Sequence, residues 1–254
     1  MNSDMLKVFQ IHRNKLPHFL VLGVQKGGTT SLQRLLEQHQ DVYLPKCKEV
    51  HYFTQHSHEA RSWYASHYTK AKKGQKRGDI TPFYIFHPEA PRRIHNLLPR
   101  VKMIILLRDP VERTLSQYFH ARRNGFEQLE LPEALQAEEY RLRNGGAYSL
   151  QKHSYKARSY YIEQLDRYEK LFKKNQIMVL KSETLFAEPK IIWGKIQEFI
   201  NLKTQSLPKN IYKYNSGEDE AKTVDESIRT KLREEFKETV LAVRERYGID
   251  WGWA

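Results

Sequence analysis

The chain has 254 residues and a formal net charge of +13, from 43 Lys or Arg and 30 Asp or Glu. That length fits one large domain, and the basic excess predicts an anionic partner. Nucleic acid, an acidic glycan, an anionic membrane and a phosphorylated small molecule are all compatible with this charge. The plainer alternative is a basic surface without a specific partner.

Cysteine content and hydropathy exclude several classes of protein. Cys47 is the single cysteine, so the chain forms no intramolecular disulfide and no zinc site built on several thiolates. No stretch approaches the roughly 20 apolar residues of a membrane-spanning helix, and residues 1–18 lack the apolar core of a signal peptide. We therefore expect a cytoplasmic protein without a membrane span. The sequence does not indicate an oligomeric state.

Two apolar runs near the start of the chain predict buried strands that lead into helices. Residues 19–23 (FLVLG) form the first run, which ends at a glycine. A turn rich in Gly and Thr follows, and apolar residues then recur at helical spacing over residues 31–39. Residues 101–107 (VKMIILL) predict the second strand, after which Pro110 suits the first turn of a helix.

The remaining periodicity predicts the fold class. A third strand is expected at residues 177–180 (IMVL), with Ser182 as the cap of the next helix. Helical periodicity also marks residues 129–142, 155–172, 191–200 and 224–247. Strands that alternate with helices predict an α/β fold of three layers, in which helices flank a central, mostly parallel sheet. We treat residues 1–254 as a single domain and expect a long surface loop at residues 201–225.

The turn after the first strand has the composition of a phosphate-binding loop. Residues 23–31 (GVQKGGTTS) offer backbone amides and the positive end of a helix dipole to one anion. Glycine lets the backbone approach closely, and the hydroxyl groups add hydrogen-bond donors. A tight turn without a ligand is the alternative for the glycines alone. The candidate binding residues are Gln25, Lys26, Gly27, Gly28, Thr29, Thr30 and Ser31.

This loop departs from the pattern of nucleoside triphosphatases, G-x-x-x-x-G-K-[ST]. Gly23 and Gly28 have the right separation, but Thr29 occupies the lysine position. The lysine stands at position 26 instead, ahead of the glycine pair. Arg108, rather than a magnesium-binding acid, follows the second strand. Both differences argue against a P-loop nucleotide kinase, which is the main alternative function.

Arg108 and Ser116 form a second candidate anion site. Arg108 ends the second strand, and Ser116 lies about two helical turns further on. Because ligands of doubly wound sheets bind at the carboxyl ends of strands, we expect Arg108 and the loop at one crevice. A guanidinium fork suits a phosphate dianion, so two sites predict a nucleotide with phosphates at both ends of its ribose. An ion pair of Arg108 with Asp109 or Glu112 is the alternative.

Glu49 and His51 are candidates for proton transfer. In residues 48–53 (KEVHYF) they flank an apolar residue, so both would share one face of an extended strand. Either side chain can take a proton from an acceptor. The alternative is a solvated, charged stretch of chain.

These segments, in this order, resemble the sulfotransferase superfamily, and above all its bacterial and heparan-sulfate-type glycan branch. Residues 23–32 (GVQKGGTTSL) are similar to that family's 5'-phosphosulfate loop, and residues 106–120 (LLRDPVERTLSQYFH) are similar to its 3'-phosphate motif. Residues 48–53 resemble the segment that carries the catalytic glutamate. Supporting similarity lies in residues 78–85, 157–172 and 177–185, so that the resemblance spans about residues 18–204.

The resemblance implies a P-loop-like fold and a sulfotransferase. Such an enzyme moves a sulfuryl group from 3'-phosphoadenosine-5'-phosphosulfate (PAPS) to a hydroxyl or amine by in-line transfer, without a metal ion. It implies Glu49 as the general base, with His51 as the second choice. It also implies Lys26 as the cation that stabilises the leaving phosphate.

The resemblance also assigns the donor contacts. The residues of the 23–31 loop would hold the 5'-phosphate, and Arg108 with Ser116 would hold the 3'-phosphate. Tyr161 would close over the adenosine. Lys213 and Asn215, in the segment 212–217 (YKYNSG), would do the same.

The sequence leaves the acceptor open between an anionic glycan and a small alcohol, phenol or lipid. Residues 61–78 contain six Lys or Arg and no Asp or Glu, which suits an acidic glycan but also a solvated loop. The heparan sulfate enzymes usually have a lysine where this chain has Ile80, and this departure puts the acceptor in question. We expect no nucleic acid partner, because no binding module is recognisable.

Overall fold

A parallel β-sheet forms the centre of the protein. The computed structural model describes residues 15–208 and 218–254. In these residues the sheet has five strands, in the spatial order β2-β3-β1-β4-β5, and every neighbouring pair is parallel. The strands are β1 (Phe19–Gly23), β2 (Val42–Tyr43), β3 (Lys76–Ile80), β4 (Lys102–Leu107) and β5 (Ile177–Lys181). The predicted α/β fold with a central parallel sheet is confirmed.

Helices connect the strands and continue beyond β5. Those before β5 are α1 (Thr29–Glu37), α2 (Arg61–Ser66), α3 (Ala90–Leu97), α4 (Pro110–Arg123), α5 (Leu131–Asn144), α6 (Gly146–Lys152) and α7 (Tyr161–Glu169). Those after it are α8 (Ser182–Ala187), α9 (Pro189–Phe199), α10 (Glu218–Lys222) and α11 (Glu226–Tyr247). Short 3-10 turns occur at Ala157–Ser159 and Lys174–Gln176.

Strand β1 is buried on both faces, as its continuous apolar run predicts. Leu20 and Leu22 belong to a hydrophobic cluster that includes residues of α2, α3 and α7. Phe19 and Val21 point to the other face and belong to a second cluster, with residues of α1 and α9. Because successive side chains of a strand alternate between faces, helices cover both sides of the sheet and three layers result.

The crevice for a ligand lies where β1 and β4 run side by side. From β1 the chain continues through α1 to the β2 edge of the sheet, whereas from β4 it continues through α4 toward the β5 edge. Loops that leave neighbouring strands in opposite directions open a crevice at the carboxyl ends of those strands. The 23–31 loop and Arg108 therefore meet at this point, as predicted.

Periodicity did not predict β2 and β3, because their sequences lack an apolar run; for β3, only the family resemblance of residues 78–85 indicated a strand. β2 has only two residues, and β3 (KRGDI) begins with charged side chains. Gly78 explains how β3 fits beside β1, because a Cβ at this position would lie 2.3 Å from Cζ of Phe19. The ring of Phe19 thus occupies the space above the glycine, a contact that periodicity does not reveal.

The helix predicted over residues 155–172 is shorter than expected. Regular α-helix begins only at Tyr161, after the 3-10 turn Ala157–Ser159. The carboxylate of Glu138 accepts hydrogen bonds from the backbone amides of Lys156 and Ala157, both at 2.8 Å. Glu138 thereby caps the 3-10 turn from outside, and the chain bends before α7 starts.

The region after α9 differs in part from the predicted loop at residues 201–225. Helix α10 lies within it, and residues 209–217 lie outside the described residues. In the parts of the chain that the structure describes, no helix is both long enough and apolar enough to cross a membrane.

Candidate active site

The two adjacent glycines of the 23–31 loop are required by its packing. A Cβ on Gly27 would lie 2.7 Å from the carbonyl oxygen of Leu106 in β4, so the loop can approach β4 only without a side chain there. Gly28 has a φ of +86°, a left-handed conformation that favours glycine, and it immediately precedes α1. The glycine pair therefore turns the chain from β1 directly into the helix.

Backbone and side-chain hydrogen bonds fix this loop against β4. The amide of Val24 donates to the carbonyl of Leu106 at 2.9 Å. The hydroxyl of Ser182 donates to the carbonyl of Gly27 at 2.9 Å. Ser182 was predicted to cap the following helix, but α8 has no side-chain cap bond. Ser182 instead holds the 23–31 loop in place.

The start of α1 is suited to an anion. Thr29, Thr30 and Ser31 form its first turn, where backbone amides lack partners within the helix. The N-cap residue is Gly28, which has no side chain that could cap these amides. The amides and the helix dipole thus favour a negatively charged group at this position.

Lys26 lies in a strongly positive environment. Burial, followed by the charges of Arg123, Arg108, Lys48 and Arg113, lowers the pKa of Lys26 to about 8. A lowered lysine pKa means that its charged form is less stable here than in water, and a bound anion would offset that loss. This convergence of cations is the electrostatic complement of a phosphate or sulfate group.

A cavity of about 120 Å³ opens between the loop and the segment that carries Glu49. Its walls are formed by Gln25, Lys26, Gly28, Thr29, Thr30, Lys48, Glu49, Pro82 and His120. Six of these residues belong to the predicted site: Gln25, Lys26, Gly28, Thr29, Thr30 and Glu49. The structure therefore brings the predicted loop and the predicted base to one cavity.

Glu49 and His51 are close together, although the segment is not a strand. Both have left-handed backbone conformations, with φ values of 60° and 56°. Nε2 of His51 lies 3.3 Å from Oε2 of Glu49, and Nδ1 of His51 lies 3.1 Å from the hydroxyl of Thr54. Glu49 lines the cavity, whereas His51 is not among the residues that form its wall. This arrangement suits Glu49 as the group that faces a substrate and His51 as its orienting partner.

Lys48 connects the Glu49 segment with the phosphate loop. Its ammonium group donates a hydrogen bond of 3.1 Å to the hydroxyl of Thr30. The sequence interpretation did not single out Lys48. Its position next to Glu49 in the KEVHYF segment was the signal available.

Arg108 contacts the loop, which agrees with the expectation that the two lie at one crevice. Its guanidinium donates to the carbonyl of Lys26 at 3.2 Å, and its own carbonyl accepts a hydrogen bond of 2.7 Å from the hydroxyl of Tyr161. Ser116 lies on α4 and is only 2% exposed. Arg108 and the loop thus lie side by side.

Tyr161, which was predicted to close over the adenosine, is fully buried in the core cluster that also contains Leu20 and Leu22. Its hydroxyl donates to the carbonyl of Arg108 and so holds the backbone there. Its contact with the adenosine stays a prediction. Lys213 and Asn215, the other predicted covering residues, lie outside the described residues.

Arg158 is a site residue that the sequence interpretation missed. It is nearly fully buried, and its Nη1 donates to the side-chain oxygen of Gln25, which lines the cavity. Nε of Arg158 donates to the hydroxyl of Ser154 at 2.6 Å, and Nη2 donates to the carbonyl of Gln151 at 2.7 Å. All three nitrogens of the guanidinium thus donate hydrogen bonds, and the one from Nη1 orients Gln25.

The charge of Arg158 is held by aromatic rings. Its guanidinium lies 4.8 Å from the ring centre of Phe83 and 5.1 Å from that of Phe86. Burial is the main cause that lowers the pKa of Arg158 to about 9. In the described ranges no carboxylate forms an ion pair with it, so its positive charge adds to the field at the cavity.

His120 was also missed, because a histidine within a helix gives no local signal. It lies on α4 and contributes to the cavity wall. Burial, together with the charges of Lys26 and Arg123, lowers its pKa to about 4. His120 is therefore neutral near pH 7 and can accept or donate a hydrogen bond at the cavity.

The cavity wall combines cations, hydroxyls and amides with a single carboxylate, Glu49, and a single histidine, His120. Residues 15–208 and 218–254 contain no group of three or more His, Cys, Asp or Glu side chains arranged to hold a metal ion. The expectation that no metal ion takes part stays a prediction.

Comparison with protein families identifies one that covers most of the chain. The sulfotransferase domain family matches residues 16–240. The human Heparan sulfate glucosamine 3-O-sulfotransferase 6 is 30% identical over 200 residues, which are 79% of this chain and 56% of that protein. The Membrane-associated sulfotransferase kil1 of Dictyostelium discoideum is 42% identical over 106 residues, which are 41% of this chain and 22% of that protein. The chain thus spans little more than half the length of one curated relative and less of the other.

Two solved structures show the same architecture. A sulfotransferase from Alicyclobacillus acidocaldarius superposes with a TM-score of 0.80 at 26% identity, over 92% of this chain and 96% of that one. Mouse sulfotransferase SULT7A1 complexed with PAP has a TM-score of 0.56 at 14% identity, over 92% of this chain and 86% of that one, and supports the fold alone. Together with the family match over residues 16–240, these relationships show that the chain belongs to the sulfotransferase domain family.

Proposed function

We propose that this protein transfers a sulfuryl group from PAPS to a hydroxyl- or amine-bearing acceptor. The observation that carries the proposal is the convergence of Lys26, Lys48 and Arg108 on the α1 amino end, opposite Glu49. Membership of the sulfotransferase family supports the same donor. A nucleotide kinase lacks comparable support, because Arg108 stands where a magnesium-binding acid is expected.

The donor fits the arrangement of charges. The α1 amides, with Thr29 and Thr30, would hold the 5'-phosphate and its sulfuryl group. Arg108 and Ser116 would bind the 3'-phosphate, which distinguishes this donor from ATP. The cations that lower the Lys26 pKa supply the positive field that such a polyanion requires.

The proposed chemistry is a single displacement at sulfur. The acceptor oxygen forms a bond to sulfur while the bond from sulfur to the 5'-phosphate oxygen breaks. Glu49 takes the proton of the acceptor hydroxyl, and His51 holds the carboxylate in place at 3.3 Å. Lys26 stabilises the negative charge that develops on the departing phosphate oxygen. The products are the sulfated acceptor and 3'-phosphoadenosine-5'-phosphate (PAP).

We propose a carbohydrate as the acceptor. The relative named heparan sulfate glucosamine 3-O-sulfotransferase is matched over 79% of this chain. Glu49 faces an open cavity, and Lys48 beside it can attract an anionic sugar. A small alcohol, phenol or lipid is the competing acceptor class, and a screen with labelled donor distinguishes the two. The cytoplasmic location stays a prediction.

The first test concerns Lys26 and pH. Because the Lys26 pKa is about 8 in the free protein, PAP affinity should fall as pH rises from about 7 to about 10 and Lys26 loses its proton. Lys26→Arg should bind PAP without this fall, since arginine keeps its charge. Lys26→Met should bind PAP weakly at every pH and lose about 10²–10³-fold in turnover.

Calorimetry measures the PAP affinity of these variants, and transfer of labelled sulfate measures their turnover, with Lys190→Met as an exposed control. A wild-type affinity independent of pH would contradict this role of Lys26.

The second test concerns the base. Glu49→Gln should reduce turnover by about 10²–10⁴-fold, because the side chain can no longer accept a proton. PAP affinity should change little, since Glu49 does not hold the nucleotide. His51→Ala should reduce turnover less, because it removes only the orienting contact. Near-normal turnover of Glu49→Gln together with an inactive His51→Ala would reverse the two assignments.

The third test concerns Arg158 as a positioning residue for Gln25. Arg158→Lys keeps the charge but loses the fork that holds Gln25, so we expect kcat to fall about tenfold or more. If Arg158 acts through Gln25, then Gln25→Ala and the double variant should show the same loss as either single variant. Urea unfolding monitors the fold of each variant. Additive losses in the double variant would show that Arg158 acts independently of Gln25.

A further inference from the structure

The amino ends of the strands form the edge of the sheet opposite the candidate active site. Phe19, the first residue of β1, pairs with Gly78 of β3 and Lys102 of β4. Met103 of β4 pairs with Ile177, the first residue of β5. Since the strands are parallel and nearly in register, the chain segments that precede them meet on one surface.

This surface, here called the amino edge, is strongly basic. It consists of residues 15–18, 38–41, 70–77, 99–102 and 170–176. These segments contain eleven Lys or Arg and a single acidic residue, Asp41. Eleven minus one gives +10, a large part of the chain's net charge of +13. The charge excess noted in the sequence is therefore concentrated away from the catalytic crevice.

Hydrogen bonds join these segments into one continuous surface. The amide of His18 donates to the carbonyl of Arg77 at 2.7 Å, and the amide of Lys102 donates to the carbonyl of His18 at 3.3 Å. The ammonium of Lys102 reaches the carbonyl of Asn175 at 2.8 Å. The edge from β3 across β1 and β4 to β5 is thus a fixed part of the fold and not a set of independent loops.

In the part of the chain that the structure describes, the cations of the amino edge lack acidic partners. Within the described residues, none of the eleven forms an ion pair with a carboxylate. Most of them are exposed: Lys70, Lys72, Lys73, Arg100, Lys170, Lys173 and Lys174. Like charges held on one surface repel one another, and an external anionic surface would relieve that repulsion.

Two features favour a membrane over an acidic glycan as the partner. Nine of the eleven cations are lysines, whose compact charges suit diffuse attraction to lipid headgroups, whereas binding of discrete sulfates and carboxylates favours arginine forks. Leu171 is 39% exposed and lies between Lys170 and Lys173. An apolar side chain among lysines can enter the headgroup region of a bilayer.

We infer that the amino edge docks on an anionic membrane surface. The carboxyl edge, with the 23–31 loop and Glu49, would then face the aqueous phase, where donor and acceptor can reach it. The inference goes beyond the proposed transfer reaction and does not depend on it, because vesicle binding is measured without donor or acceptor.

The test compares two variants of equal charge. In one, Lys170, Lys173 and Lys174 are replaced by Gln; in the control, the exposed lysines Lys190, Lys231 and Lys237 of α9 and α11 are replaced by Gln. Binding is measured by co-sedimentation with phosphatidylcholine vesicles that contain or lack phosphatidylserine. At roughly fivefold per charge, the first variant should bind the anionic vesicles about 10²-fold more weakly. The control should bind within about threefold of the wild type, and salt above about 0.1 M should weaken all binding.

Several results would overturn the inference. They are no binding of the wild type to anionic vesicles at low salt, equal binding to both kinds of vesicle, and equal losses in the two variants. A sulfated oligosaccharide provides the remaining arm of the test. If its binding is lost in the first variant while vesicle binding persists, the amino edge is a glycan surface instead.

Discussion

The packing of the 23–31 loop against β4 is the constraint on which the rest of the site depends. The hydrogen bond from Val24 to the carbonyl of Leu106 joins the two strands just where their connections diverge. Gly27 permits this approach, because any side chain would meet the same carbonyl. Arg108, two residues beyond Leu106, is thereby brought against the loop carbonyl of Lys26. One backbone contact thus brings both proposed phosphate sites to the same crevice.

The direction of the strands also separates two kinds of positive charge. At the carboxyl edge, burial of Lys26 and the charges of the cations around it lower its pKa to about 8, and this positive field suits a small polyanion. At the amino edge, exposed lysines such as Lys173 form a broad surface, and no carboxylate of residues 15–208 or 218–254 pairs with them. The net charge of the sequence alone did not distinguish the cations at the carboxyl edge from those at the amino edge. In a parallel sheet all strands begin at one edge and end at the other, and ligands bind at the edge where the strands end. The strand register therefore shows at which edge each basic segment lies.

Local sequence was sufficient for features that are contiguous in the chain. The phosphate loop, β4 and Arg108 were predicted because glycines, an apolar run and a terminal arginine follow each other directly. Contacts over long sequence distances could not be predicted this way. Arg158 reaches Gln25 across more than a hundred residues, and Ser182 reaches Gly27 across a similar distance. The residue pattern of β3 likewise did not predict a strand, because β3 is buried by its neighbouring strands rather than by apolar side chains of its own.

The central claim is that the crevice holds a nucleotide with separate 5'- and 3'-phosphates. Calorimetric titration with PAP and with ADP, both without Mg²⁺, tests it most directly, because only PAP carries the 3'-phosphate. We expect micromolar binding of PAP, much weaker binding of ADP, and loss of that preference in Arg108→Ala. Equal affinities for PAP and ADP, or binding that requires Mg²⁺, would show that the crevice is not a PAPS site.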